Sequence, residues 1–330
     1  MLSAILIFVI IFALGFEFIN GFHDTANAIA ATIYTRALTP RRAILLTAVM
    51  NLIGALVSEK VAETITEGLI DIKLEMYVIL AALIGAIIWN LFTWWQAIPS
   101  SSSHALIGSL VGAVMVYTMS MKHINWETVL TKVIIPLFTS PIMGLIIGFL
   151  SMKLVYKLFA KWSQTKVNRV FRKLQVFSSA LVAFTHGNND AQKTMGIITL
   201  ALVTNGMITA GSGVPMWVKI SCACVMALGT SVGGWRVIKT MGAGVTKVQP
   251  ASGFAAQISS ALVIEVMTRF GAPVSTTQII TTSIMGTGAA RRASMVRWGV
   301  AEKIFAAWFV TLPSAMALGA GCAFIIDLFV

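Results

Sequence analysis

Gly187-Asn188-Asn189-Asp190-Ala191-Gln192-Lys193 sets an acid, three amides and a cation into an otherwise apolar chain. The frame has a twin near the N-terminus. Phe18-Ile19-Asn20-Gly21-Phe22-His23-Asp24 matches Phe184-Thr185-His186-Gly187-Asn188-Asn189-Asp190, with Phe, Gly and Asp each recurring 166 positions later (190 − 24). A second pair follows in the same order: Pro99-Ser100-Ser101-Ser102-Ser103-His104 is matched by Pro273-Val274-Ser275-Thr276-Thr277-Gln278 at an offset of 174 (273 − 99). Ser109 and Gly112 likewise recur as Ser283 and Gly286. Two motifs in one order at nearly one spacing identify a duplicated unit.

Composition says what kind of unit it is. Of the 330 residues 57% are hydrophobic and 11% charged, and the mean hydropathy is +0.87. A soluble domain carries about a quarter charged residues. Apolar runs long enough to cross a hydrocarbon core of ~30 Å recur along the whole chain, the signature of a polytopic α-helical membrane protein. A β-barrel would alternate apolar and polar positions, whereas Leu2 to Phe16 and Val78 to Trp89 are apolar on every face. Met1-Leu2-Ser3 has no basic residue, so the N-terminal run predicts a first span and not a signal peptide.

The net charge of +12 is unevenly spread. Seven of the 24 basic residues (Lys153, Lys157, Lys161, Lys166, Arg169, Arg172 and Lys173) fall in one stretch without an acid. In a membrane protein this is the positive-inside signal. It predicts a cytoplasmic linker over 153–173 between repeats at 1–152 and 174–330, with no nucleic-acid partner. The segment also suits anionic lipid at the bilayer surface.

Along the first half, polar residues from Glu17 to Asn27 interrupt the first span, and a helix break is expected at Gly21. Glu59, Glu63, Glu67, Asp71 and Glu75 recur every four residues and hold five of the 12 acids. They predict a solvated stripe on a helical connector. In the second half the loops are placed at Gly211 to Pro215 and Met241 to Pro250, with a kink or turn near Pro313. Cys222, Cys224 and Cys322 lie in apolar runs and read as packing residues.

Proline at a helix start with serine hydroxyls in the first turn is N-terminal helix chemistry. A helix that starts at membrane depth exposes free amides, which is tolerated only where they line a protein-enclosed or ligand-filled site, and its positive end suits an anion. Ser and Thr also serve as small residues between membrane helices, but the duplication at Pro273 favours two helix starts.

Ionisable residues within apolar runs are functional candidates. Asp24 and Asp190 stand out as symmetry mates among Asn20, Asn27, Asn188, Asn189 and Gln192. Glu17, Glu265 and Glu302 are expected near an interface or paired with a base. His23, His104 and His186 have no zinc spacing. Carboxylates beside hydroxyl and amide oxygens suit an alkali ion, and Ser and Thr at helix starts suit an oxyanion. No Gly-Lys-Ser/Thr phosphate loop or other catalytic motif points to an enzyme.

At these residues the chain resembles the inorganic phosphate transporter (PiT) family of cation-coupled symporters, which carries one Gly-x-x-Asp motif and one Pro-x-Ser-type motif per half. The likeness covers nearly the whole chain. It departs from the family pattern in its Pro-Ser-Ser-Ser-Ser run, in Gln278 where histidine is common, and in lacking a large soluble insert. The resemblance implies an all-α fold of two inverted-topology repeats with broken helices and re-entrant hairpins, about ten to twelve membrane segments in all. It implies sodium-driven phosphate uptake across the cell membrane by alternating access, with a homo-oligomer left open. Phosphate is then expected at Thr25, Ser102, Ser103, Asn188, Thr276 and Thr277. Sodium, about two ions with one at each Asp and no organic cofactor, is expected at Asp24, Asn27, Ser101, Asp190, Asn189 and Ser275. Asn20, His104, Gln192, Lys193, Thr194 and Gln278 are secondary candidates. A proton-coupled phosphate permease, a sulfate permease and an anion channel remain the alternatives.

Overall fold

The computed structural model describes residues 4–232 and 245–329, apart from the side chains of residues 25–27. The expected ligands Thr25 and Asn27, and residues 241–244 of the second predicted loop, therefore lie outside the described residues.

The regular elements of the described chain are helices: α1 (Ala4–Tyr34), α2 (Pro40–Ala55), α3 (Lys60–Gly68), α4 (Met76–Trp95), α5 (Ser102–Thr118), α6 (Trp126–Leu158), α7 (Gln164–Thr204), α8 (Met216–Val232), α9 (Pro250–Arg269), α10 (Thr276–Ala289) and α11 (Trp298–Asp327). No strand occurs among the described residues. Helices α1, α4, α6, α9 and α11 are each long and apolar enough to cross a bilayer, and α2 with α3, bent by 63°, makes a sixth span if joined. Apolar side chains such as Phe138, Ile142, Ile146 and Leu150 on α6 stay exposed, as a lipid-facing surface requires. The protein is an all-α, multi-pass membrane protein.

The two halves interleave. Helix α1 packs on α8 of the other half, and its twin α7 packs on α2. Helix α5 packs on α11, and its twin α10 packs on α6. Glycines allow these crossings. A Cβ on Gly187 would meet the Asn51 backbone, one on Gly54 would meet Phe184 O, and Gly21 and Gly229 stand in the same relation to Met226 O and Phe18 O.

This packing corrects the expected break at Gly21. Helix α1 runs unbroken from Ala4 to Tyr34, because Gly21 serves the close approach of α8 and not a turn. Helix α7 is likewise continuous through Gly187, and α11 through Pro313. The acidic stripe is not one helical face, since helix ends at Gly68 and an irregular segment pairs Ile70 with Ile124. Two of its acids bind the second half instead: Glu59 accepts from Val214 N at 2.7 Å and pairs with Lys219, and Glu67 accepts from Gly211 N at 2.7 Å. Much of the basic stretch lies on the ends of α6 and α7, which leaves a short connector at 159–163.

Candidate functional site

The breaks in the membrane helices fall at the serine motif and its twin. Ser101 and Ser275 adopt the same extended backbone, and each caps the helix that follows it: Ser101 Oγ accepts from His104 N at 3.2 Å, and Ser275 Oγ from Gln278 N at 3.3 Å. The cap at the third helical amide leaves the amides of Ser102 and Ser103, and of Thr276 and Thr277, without an intrahelical acceptor. The two starts meet. Ser103 Oγ donates to Val274 O at 2.9 Å, joining the first turn of α5 to the residue before the cap of α10. Two positive helix ends thus converge on one point.

The two carboxylates flank that point. Asp24 Oδ1 lies 2.6 Å from His23 Nδ1 and accepts from the Thr277 hydroxyl at 3.4 Å. Asp190 Oδ2 accepts from the Thr276 hydroxyl at 3.1 Å and lies 3.1 Å from His186 Nε2. The threonines of the second start therefore reach one carboxylate each, Thr277 that of the first half and Thr276 that of the second. Every one of these residues is at most 2% exposed, as are Ser101, Ser102, Ser103 and Ser275.

The carboxylates differ in one respect that the expectation of an ion at each did not foresee. Asp190 Oδ1 pairs with the ammonium of Lys193, one turn along α7, and that ammonium also donates to Ser103 Oγ and, at 3.0 Å, to Val274 O. Lys193 is itself only 2% exposed. Breaking such a buried pair by removing one partner costs about 3–5 kcal/mol.

Other expected ligands serve the scaffold. Asn189 donates to Thr268 Oγ1 at 2.8 Å and to Ala272 O at 3.2 Å, while its Oδ1 has no partner. Asn188 is held by Gln192 and lies 3.3 Å from Glu265 Oε2, turned towards α9. Gln192 Oε1 accepts from Val61 N at 2.8 Å and Ala62 N at 3.3 Å, so it caps α3 of the other half. His104 Nδ1, both amide atoms of Gln278, Asn20 Oδ1 and Ser102 Oγ are buried without partners. Glu265 pairs with Arg269, as expected. Glu17 does not: it is fully buried and accepts from Thr194, with its second oxygen unpartnered. Sequence reasoning missed Thr93, whose hydroxyl links His23 Nε2 at 3.4 Å to Ser100 at 2.8 Å. A lone threonine in an apolar span gave no signal. His23 and His186 were read only as lacking zinc spacing, although their i−1 and i−4 spacing from an Asp could have marked them as carboxylate partners. No group of three or more His, Cys, Asp or Glu side chains that could hold a metal ion occurs among the described residues.

The arrangement offers neutral donors and positive helix ends to an anion, and a carboxylate to a cation, in a site sealed from solvent. It presents no activated nucleophile.

Comparison with known proteins leads to the same place. The phosphate transporter family profile matches residues 20–319. A Bacillus subtilis protein named "probable low-affinity inorganic phosphate transporter" is 45% identical over 98% of this chain and 97% of its own. A Mycobacterium bovis protein of the same name is 46% identical over 96% of this chain and 76% of its own. A solved structure described as "the sodium-dependent phosphate transporter" shares the fold, with a TM-score of 0.90 over 99% of this chain and 100% of that one at 24% identity. The chain belongs to the phosphate transporter family, and it is a multi-pass membrane transporter, not an enzyme.

Proposed function

We propose that the protein is a secondary active symporter that takes up inorganic phosphate with sodium across the cell membrane. Two repeats of inverted topology, joined through 153–173, alternate access around the buried site. The convergence of two capped helix starts beside two carboxylates carries this reading. Half-helix N-termini point at the anionic groups of substrates in transporters built from inverted repeats. The names of the relatives supply phosphate, and that of the structural neighbour supplies sodium.

Phosphate is held by the Ser102 hydroxyl and the first-turn amides of Ser102, Ser103, Thr276 and Thr277, while the hydroxyls of Ser103, Thr276 and Thr277 fix the two starts through Val274 O, Asp190 and Asp24. The unpartnered Ser102 Oγ is a donor ready for it. The donor set also fits sodium, because the buried Asp24 supplies a carboxylate and the Thr277 hydroxyl beside it a neutral oxygen. Phosphate brings negative charge to a site that already contains acids, so each ligand favours the other reciprocally.

Removing one buried hydrogen-bond partner costs about 1–3 kcal/mol. Ser103→Ala and Thr277→Ala are each expected to weaken phosphate binding roughly 5- to 150-fold, at 1.4 kcal/mol per factor of ten. Isothermal calorimetry of the purified protein in sodium buffer reads this directly. Unchanged affinity in both variants moves the anion elsewhere, and tighter binding of sulfate than of phosphate makes the protein a sulfate permease.

The basic stretch gives a second prediction. A cysteine replacing the exposed Gln164, in a background without the three native cysteines, is protected from an impermeant thiol reagent applied outside intact cells. Labelling from outside reverses the topology.

A further inference from the structure

We infer that the ammonium of Lys193 is a tethered cation that permanently fills the cation position at Asp190, leaving Asp24 as the exchangeable sodium site of this cluster. The inference rests on the sodium-symport reading above and changes its ion count from two to one.

Geometry is the first support. An ammonium carries three N–H donors, and those of Lys193 go to a carboxylate (Asp190), a hydroxyl (Ser103) and a main-chain carbonyl (Val274). A carboxylate with a hydroxyl and a carbonyl from unwound backbone is also the kind of oxygen set that holds a coupling cation at a broken helix. The lysine has taken that set for itself. Its partners come from α7, the first turn of α5 and the segment before α10, so a mobile ion entering there would have to displace a buried, fully bonded ammonium.

The repeat register is the second support. Lys193 follows Asp190 by three positions, and the residue three positions after Asp24 is Asn27. At this register the sequence of one half therefore has a neutral amide residue, of a type that can ligate an ion, and that of the other a lysine. Asp24 shows the complementary state: its partners are His23 and Thr277, and no lysine or arginine pairs with it among the described residues. Of the two carboxylates that flank the helix starts, one is neutralised within the protein and the other is left for an ion from solution.

The test counts ions. The full-length protein is reconstituted in vesicles, and uptake of radiolabelled sodium and radiolabelled phosphate is measured on the same preparation. The wild type is expected to take up about one sodium per phosphate and Lys193→Asn about two, with sodium dependence correspondingly steeper, because the second site becomes open to a linked ligand. Lys193→Arg keeps the charge and keeps the wild-type count. A wild-type ratio of two overturns the inference whether or not the variants fold, as does an Asn variant whose ratio stays at one. Phosphate uptake without any sodium is a different result, which removes the symport reading itself.

Discussion

Asp24→Asn is expected to abolish sodium-driven phosphate uptake. The substitution keeps the shape of the side chain and removes its charge, in a place where Asp24 is 2% exposed and contacts only neutral donors and His23 among the described residues. A sodium ion entering that position would be left as an uncompensated buried charge, a penalty of about 3–5 kcal/mol. At 1.4 kcal/mol per factor of ten, apparent sodium affinity falls by at least about 100-fold. Thr277 can still donate to the amide oxygen, so the fold persists. Uptake in vesicles, with size-exclusion profiles to verify folding, separates the two effects. Wild-type sodium dependence in the Asn variant would remove Asp24 from the coupling site.

The largest structural effect is expected from Gly187→Val. Helix α7 crosses α2 at this residue, and a Cβ there would sit 2.5 Å from Asn51 Cα and 2.8 Å from its carbonyl carbon. Both are main-chain atoms of a helix and cannot swing aside. Overpacking of this kind costs typically 1–3 kcal/mol and at times more. Because Asn51 also lies 3.2 Å from His186 Nδ1, the displacement reaches the Asp190 cluster. The variant should melt well below the wild type in detergent and bind phosphate poorly. Gly15 is the internal control: it lies in α1 with nothing within 4 Å of its would-be Cβ, and alanine there is expected to be neutral or to stabilise the helix by up to about 1 kcal/mol. Equal melting temperatures for the wild type and Gly187→Val would refute the close-crossing account.

What was legible in the sequence was whatever broke the apolar pattern. The serine run and its twin stood out as polar helix starts inside a membrane protein, and α5 and α10 do begin within them, three residues after Pro99 and Pro273, with Ser101 and Ser275 as the caps. The two Asp motifs stood out for the same reason, and Asp24 and Asp190 do flank the helix starts. Glycine misled, because Gly21 has two physical uses, ending a helix or letting another one close. The partner that decides between them, α8, is distant in sequence. The four-residue spacing of the acids misled too: Glu59 and Glu67 are fixed by loop amides at Val214 and Gly211, which no local periodicity records. Lys193 was visible as a cation beside an acid. Its saturation by Ser103 and Val274 depends on two helix starts meeting, which only the fold reveals.

The most direct test of the central claim is uptake by the purified protein in sealed vesicles, comparing an inward sodium gradient with choline and with an inward proton gradient. The account predicts that phosphate accumulates against its own gradient only when sodium is imposed, and that sulfate neither accumulates nor competes. Phosphate accumulation that is equal in sodium and choline but follows the proton gradient would contradict it and make protons the driver.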